Sequence, residues 1–464
     1  LATNAEDVAA RHDFDNSAQP TAGAFDPTGN YLYLVFENSR VLRLYDIYSG
    51  NSLASVTLDF APNAVTVSPD GRRVMTHNWL GRSVSVIAAD DFVDGVSNEL
   101  VLLNEFPTVT SEVLTPTLLL GKRLFFDSAD PRLTAQGYIA CSTCHADGGH
   151  DGRTWDFADV GEGLRNTADL RARAGVGHGN VHWTANFDEI HDFENDMRDI
   201  FKGSGLMDDA DFDATASTLG APKAGLSADL DALAAFVTSL ATTGPSPHRA
   251  SDGTLTADAL AGAQVFFSTG CAACHSGTAF TDSPAGGNFH DIGSVDADTG
   301  GRLGSPLPDG GLDTPTLLGL WSTAPYLHDG SAATLRDAVL AHSEGAVGAA
   351  VAALDSVALD RLSAFLGQIE TGTEIVDGDA DGVIDLADNC ATTANADQRD
   401  TDGDGFGNRC DPDLNNDGVI NVVDLGLLRA VFFSADPDAD FNGDGVVNVV
   451  DLGIMRTMFF GPPG

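Results

Sequence analysis

Two pentapeptides of the form Cys-x-x-Cys-His punctuate the chain, Cys141-Ser-Thr-Cys144-His145 and Cys271-Ala-Ala-Cys274-His275. In each, two thiols three residues apart can form thioethers with the vinyl groups of a haem, and the histidine that follows offers a nitrogen to its iron. Zinc sites use the same residue types, but paired zinc knuckles lie within about 15 to 20 residues of each other. These motifs are far more widely separated, so the expectation is two covalently attached haems c and redox chemistry.

Six cysteines are present and the haems take four. Haem attachment of this kind is a periplasmic or extracellular reaction in bacteria, an oxidising setting, so Cys390 and Cys410 are expected to form a disulfide. Its loop of about 20 residues would contribute roughly 3 kcal/mol. The chain starts at Leu1 with no initiator methionine, basic leader or apolar signal core, and reads as a mature or processed product. No run of 18 or more apolar residues suggests a membrane span.

The net charge is −44, from 68 acidic and 24 basic side chains. Such a surface repels nucleic acid and anionic membranes. The segment from Thr371 onward holds 19 Asp/Glu against 4 Arg, so the acidity is spread over the whole chain. It fits a saline habitat or a basic electron donor.

The elements that must position the haems are legible as repeats. In the first hundred residues, Phe25-Asp-Pro-Thr-Gly29-Asn-Tyr-Leu-Tyr-Leu aligns with Val67-Ser-Pro-Asp-Gly71-Arg-Arg-Val-Met at an offset of 42. A Pro/Gly turn leads each time into alternating strands, a propeller-blade period. The segment resembles the YVTN-type β-propeller family. Only about two blades fit, whereas a propeller closes with at least four. Either another chain or a separated part of the precursor supplies the missing blades, or a small self-contained sheet packs on the haem region.

From about 111 to 370 the pattern is helical and duplicated. Gly121-Lys-Arg-Leu-Phe125-Phe126 precedes the first haem motif and Gly262-Ala-Gln-Val-Phe266-Phe267 the second; Leu233-Ala-Ala-Phe236 is matched by Leu362-Ser-Ala-Phe365. Helix, haem motif, ligand loop and closing helix are thus written twice.

The last ninety residues turn to Asp/Asn/Gly loops. Asp377-x-Asp379-x-Asp381-Gly-x-x-Asp385 and Asp400-x-Asp402-x-Asp404-Gly resemble thrombospondin type 3 calcium repeats. Two near copies follow at an offset of 27: Asp413-x-Asn415-x-Asp417-Gly-x-x-Asn421-x-x-Asp424 and Asp440-x-Asn442-x-Asp444-Gly-x-x-Asn448-x-x-Asp451. Oxygen-bearing residues at positions 1, 3, 5, 9 and 12, with Gly at 6, suit Ca²⁺. With Asp at position 12 and one helix after each loop, they resemble a type I dockerin. That resemblance implies a cohesin-type partner, met through Val422-Val423 and Val449-Val450; an intramolecular cap is the alternative.

Residues from about 114 to 370 resemble the dihaem cytochrome c peroxidase family, which includes MauG-type maturation enzymes. The stretches that carry this are Leu120-Gly-Lys-Arg-Leu-Phe-Phe-Asp127 and Thr314-Pro-Thr-Leu-Leu-Gly-Leu-Trp-Ser-Thr-Ala-Pro-Tyr-Leu-His-Asp-Gly330. The resemblance implies peroxide chemistry at the N-terminal haem, electrons passed by the C-terminal haem, and a Trp between them, for which Trp183 stands 38 residues after His145. Where the family has a Glu beside a Met, Glu194 is the first choice for proton transfer and Glu189 the second. His178 or His182 is expected as the resting sixth ligand of the first iron. No methionine lies between His275 and the end of that domain, and His342 occupies the family's ligand position; it is expected as the second axial ligand. An interdomain calcium is implied too, with Asn166 a ligand.

The expected fold class is therefore multidomain: a mainly α dihaem core of two cytochrome c-like domains, partial N-terminal propeller blades and a C-terminal calcium-loop module. The boundaries are 1–110 blades, 111–250 and 251–372 haem domains, 373–412 thrombospondin-type repeats and 413–464 dockerin-like. The function expected is a periplasmic, extracellular or cell-surface oxidoreductase reducing hydrogen peroxide, or oxidising a protein partner through a high-valent haem. A small cytochrome or copper protein would donate its electrons. The rival is a non-enzymatic conductor with both haems bis-histidine.

Overall fold

The computed structural model describes residues 17–283, 288–301 and 305–464. The start of the expected blade region, residues 1–16, lies outside them. Eight strands come first: β1 (Pro20–Phe25), β2 (Tyr31–Phe36), β3 (Val41–Asp46), β4 (Ser52–Thr57), β5 (Pro62–Val67), β6 (Arg73–Asn78), β7 (Ser83–Ala88) and β8 (Val101–Pro107). They form two four-stranded antiparallel meanders, β1-β2-β3-β4 and β5-β6-β7-β8, and among the described residues these sheets close no ring. The offset of 42 carries the first residue of β1, β2 and β3 onto that of β5, β6 and β7. It fails at β8, because a short helix, Asp90–Val93, intervenes. The Asp-Pro-Thr-Gly turn works through Asp26, whose carboxylate accepts the backbone N–H of Thr28, Asn30 and Tyr31. Gly29 completes it at φ +76°, a conformation glycine adopts without a Cβ clash. Tyr33, Val35, Leu42 and Leu44 of one sheet pack with Val74 and Ile87 of the other.

Both sheets rest on the first helical region through their turns. Asn38, between β2 and β3, is fully buried. It accepts from Ser142 Oγ at 3.3 Å, and its carbonyl accepts the Ser128 N–H at 2.9 Å. Arg40 pairs with Asp127 at 3.1 Å. Leu80, between β6 and β7, enters the core of the helical region.

The duplication seen in the sequence becomes two helix pairs. Pro116–Phe126 crosses Ala228–Thr238, and Ala257–Ser268 crosses Ser356–Leu366. Thr115 and Thr256 cap the leading helices, accepting from the N–H of Leu118 and Ala259. Each crossing is made at a glycine. A Cβ on Gly121 would lie 1.8 Å from the Ala232 carbonyl oxygen, and one on Gly262 would lie 2.0 Å from that of Arg361. Just beyond each crossing a phenylalanine pair packs edge to face, Phe125 with Phe236 and Phe266 with Phe365. Each half has its own apolar core.

In the C-terminal region four loops share one construction. The leading aspartates 377, 400, 413 and 440 each accept, through Oδ2, the N–H of the glycine five residues on. Those glycines, 382, 405, 418 and 445, all have φ between +86° and +102°. Cys390 and Cys410 are joined by a disulfide. Helices Val422–Ala430 and Val449–Met458 follow the last two loops and share a core around Leu428, Phe441, Val447 and Met455. Among the described residues no helix is long and apolar enough to cross a membrane.

Candidate haem centres and the seam between them

The first motif begins as one helical turn, Cys141–Cys144, buried beneath the blade turns. His145 Nδ1 lies 3.2 Å from the Gly149 carbonyl, which fixes the ring and leaves Nε2 to act as a ligand. Burial lowers the pKa of His145 and favours the neutral imidazole that a metal needs. At the second motif His275 Nδ1 lies 3.1 Å from the Phe280 carbonyl, and burial pushes that imidazole down to about 4. Cys141, Cys144, Cys271 and Cys274 form no disulfide. The donor set at both places, paired free thiols beside a neutral, backbone-oriented imidazole, fits a haem c.

Opposite His275 stands His342, with ring centroids 6.5 Å apart. His342 Nδ1 is held at 3.0 Å by the Ala338 carbonyl, so its Nε2 is also left to bind. The two imidazoles would both ligate one haem iron, each through the Nε2 that its main-chain anchor leaves free.

Near the first motif the groups differ. His182, in the left-handed region at φ +71°, has its Nδ1 2.7 Å from Asn186 Oδ1 and packs against Phe187 and Phe193. Its Nε2 is 3.9 Å from Asp196 Oδ2; His182 feels the charge of His145, and Cys141 that of Asp196. Burial first, then Glu162, Asp199 and Asp192, push the Asp196 carboxyl up to about 8. His178 is not in this group: it lies in the seam described below.

Of the two carboxylates expected to move protons, Glu194 has both oxygens engaged and Glu189 has one. Glu194 is fully buried and accepts from Arg198 Nε at 2.8 Å and from the N–H of Leu206 and Met207. Glu189 accepts the Lys223 N–H and lies 3.4 Å from His191. Beside it, fully buried Lys223 pairs with Asp192 at 2.6 Å. Both glutamates therefore brace the loop. The sequence signal for Asp196 is its neighbour: Asp196-Met197 repeats the expected acid-beside-Met pattern with a shorter acid.

Between the two halves, Trp183 Nε1 donates to the Asn166 carbonyl at 2.9 Å, and the Trp183 carbonyl accepts the Asp313 N–H at 2.9 Å. Its ring lies edge-on to His328, 6.4 Å away. The Asn166 amide meets the Pro325 carbonyl at 2.6 Å, while its Oδ1 is buried with no partner.

In the C-terminal loops, ligand atoms of Asp377, Asp379 and Asp381 converge, as do those of Asp400, Asp402 and Asp404. Asp385 turns back to accept the Gly378 N–H. Asp424 and Asp451 are fully buried and accept the N–H of Asn421 and Asn448, and Asp424 Oδ1 has no partner. Within the last two loops, Asn415 and Asn442 accept the N–H of Asp417 and Asp444. Buried carboxylates without a cationic side chain are costly, and such oxygen-lined loops fit Ca²⁺.

Two cytochrome c-like halves, each with an attachment motif, define a c-type haem protein. Comparison with known proteins gives the family. The chain is 30% identical over 273 residues to the methylamine utilization protein MauG of Methylorubrum extorquens, covering 51% of this chain and 71% of that protein. It is 28% identical over 256 residues to the cytochrome c551 peroxidase of Nitrosomonas europaea (47% and 70%). It is 27% identical over 252 residues to hydrazine synthase subunit gamma of Kuenenia stuttgartiensis (46% and 67%). The chain belongs to the cytochrome c peroxidase/MauG family, whose members carry haem c. The RoxA-like, cytochrome c-like family matches residues 311–344, and the thrombospondin type 3 repeat matches 376–398 and 399–425. The second of those repeats runs through Asp413–Asp424, the loop read from the sequence as the first dockerin half.

Proposed function

We propose that the chain is a dihaem oxidoreductase of the periplasm or cell exterior that reduces hydrogen peroxide at the first centre, with electrons relayed from the second. The observation that carries this is an asymmetry. A second imidazole, His342, stands 6.5 Å from His275 at the second centre, whereas at the first a histidine Nε2 lies 3.9 Å from a carboxyl that burial pushes up to about 8. When bound, the haems supply the iron chemistry that exchanges electrons with peroxide.

The chain's own residues would do the rest. Asp196 holds a proton within reach of the first centre and delivers it as the O–O bond breaks, the work of a general acid. Of the two histidines proposed for the sixth position there, His182 keeps that role. Trp183 joins the halves through Asn166 and Asp313, a placement that suits an electron bridge. Two haems suit the arithmetic, since peroxide takes two electrons and two protons to yield two waters, and a small cytochrome or copper protein gives one electron at a time. A calcium ion at the seam is supported by Asn166: turning its amide would set the orphaned Oδ1 beside the Pro325 carbonyl, two oxygens facing one cation.

Peroxide added to the half-reduced protein tests this reading. Turnover with a spectral change at one haem supports it; a silent spectrum and no turnover leave the conductor. The conductor is favoured by one observation, the closeness of His182 to His145, and oxidised-state electron paramagnetic resonance showing two bis-histidine irons that persist on half-reduction would establish it.

The C-terminal loops form, in this proposal, a calcium-dependent docking module of dockerin type for a cohesin-type partner. Val422, Val423, Val449 and Val450 are exposed in matching places, as are Phe433 and Phe460. Binding that survives a chelator would leave an intramolecular cap instead. The two sheets are proposed as propeller blades, completed by another chain or by a part of the precursor.

A further inference from the structure

Three arginines enter the seam between the cytochrome halves, and two are satisfied. Arg165 pairs with Glu162 at 3.1 Å and donates to the Thr299 carbonyl. Arg171 forks onto Asp169. Arg173 has no such partner. Its Nε is buried and unbonded, and among the described residues no carboxylate lies within ion-pair distance of it. The carboxylates whose charge it feels are Asp313 and Asp169. Asp313 is occupied by Ser283 Oγ at 2.8 Å, and Asp169 by Arg171.

A guanidinium stays charged at any working pH, and taking its Nε out of water without a partner is costly. In a chain with 68 acidic residues, a local carboxylate would be easy to provide. Beside Arg173 lies a second orphan: His178 is nine-tenths buried, its Nδ1 makes no hydrogen bond, and the charge of Arg173 reaches it. The segment is fixed against the second half, since a Cβ on Gly179 would stand 2.2 Å from Ser283 Oγ. Ala172, next to Arg173, is part of the second half's core. Meanwhile Arg173 is felt by His182 of the first centre. Two unused donors, Arg173 Nε and His178 Nδ1, therefore sit in the seam between the halves.

We infer that Arg173 and His178 form a carboxylate clamp for a haem propionate in the seam between the two centres. This rests on the reading that both motifs carry haem. The planar fork of Arg173 matches a carboxylate with two parallel N–H···O bonds, and His178 adds a third donor through Nδ1. The clamp would set the orientation of that haem and, by its fixed positive charge, raise its reduction potential.

The holoprotein tests this by potentiometric titration of Arg173→Leu, Arg173→Lys and His178→Phe, with haem content measured alongside by pyridine haemochrome. Two haems per chain in the unaltered protein support the underlying reading; fewer would sink that reading, whatever the variants do. The clamp predicts that Arg173→Leu shifts one midpoint downward while the other stays, and that Arg173→Lys restores part of the shift. Resonance Raman should show a displaced propionate bending band in all three variants. Should Arg173→Leu fail to retain haem, the lysine and phenylalanine variants still decide by the Raman band. Unchanged midpoints and an unchanged band overturn the clamp. So does a wild-type midpoint that moves with added inorganic phosphate, which would mark a site for a free anion.

Discussion

His275 and His342 face each other across 6.5 Å, each with Nδ1 anchored to a main-chain carbonyl, Phe280 and Ala338 respectively. The two rings come from opposite ends of the second cytochrome half, 67 residues apart in sequence. In the proposed function, their meeting makes that centre the closed member of the pair. Imidazole in place of a thioether lowers a haem potential. His342→Met is therefore expected to raise one midpoint by on the order of 100 mV, within the ~0.8 V range that axial ligands command. Potentiometry checks this, and two unmoved midpoints would remove His342 from the iron.

Asp196 and Glu194 should separate function from architecture. Asp196→Asn is expected to lower peroxide turnover by roughly 10²- to 10⁴-fold, the usual worth of a general acid, with haem spectra and melting temperature retained. Glu194→Gln replaces a fully buried acceptor of three hydrogen bonds. Its expected effect is a loss of about 1–3 kcal/mol in stability, seen in thermal unfolding. The opposite pattern would return the proton to Glu194.

The glycine crossings give a third test. Gly121→Ala and Gly262→Ala each force a methyl into a backbone oxygen. Each is expected to cost at least the upper end of the ~1–3 kcal/mol typical of overpacking, with haem retention falling in the affected half. Wild-type melting of either variant would show that the helices can part without cost.

Calcium and pH are linked in the C-terminal loops. Burial, then Asp404, Asp402 and Asp413, push the Asp411 carboxyl from 3.8 up to about 7. Between those values the folded loops bind more protons than the unfolded chain. In chelator their stability should thus fall as pH rises from about 4 to 7 and level off above. Calcium at a hundredfold excess over its dissociation constant should add about 2.7 kcal/mol near neutral pH. Melting curves with and without chelator measure both. Stability that rises with pH in chelator would contradict the assignment.

What the sequence determined by itself was whatever depends on neighbours along the chain. The Cys-x-x-Cys-His motifs, the blade offset of 42, the duplicated Gly-x-x-x-Phe-Phe helices and the alternating aspartates all act within one turn, hairpin or loop, so spacing alone reveals them. His342 could be singled out too, and the structure brings its ring within 6.5 Å of His275. The tertiary structure decided which acid is free. Glu189, Glu194 and Asp196 lie within eight residues, and only Arg198 Nε and the amides of Leu206, Met207 and the distant Lys223 show that two of them are engaged as braces. It also decided that, among the described residues, Arg173 Nε is unpaired, because the carboxylates nearest in charge, Asp313 and Asp169, are already engaged by Ser283 and Arg171. Those are properties of packed space, which no spacing along the chain records.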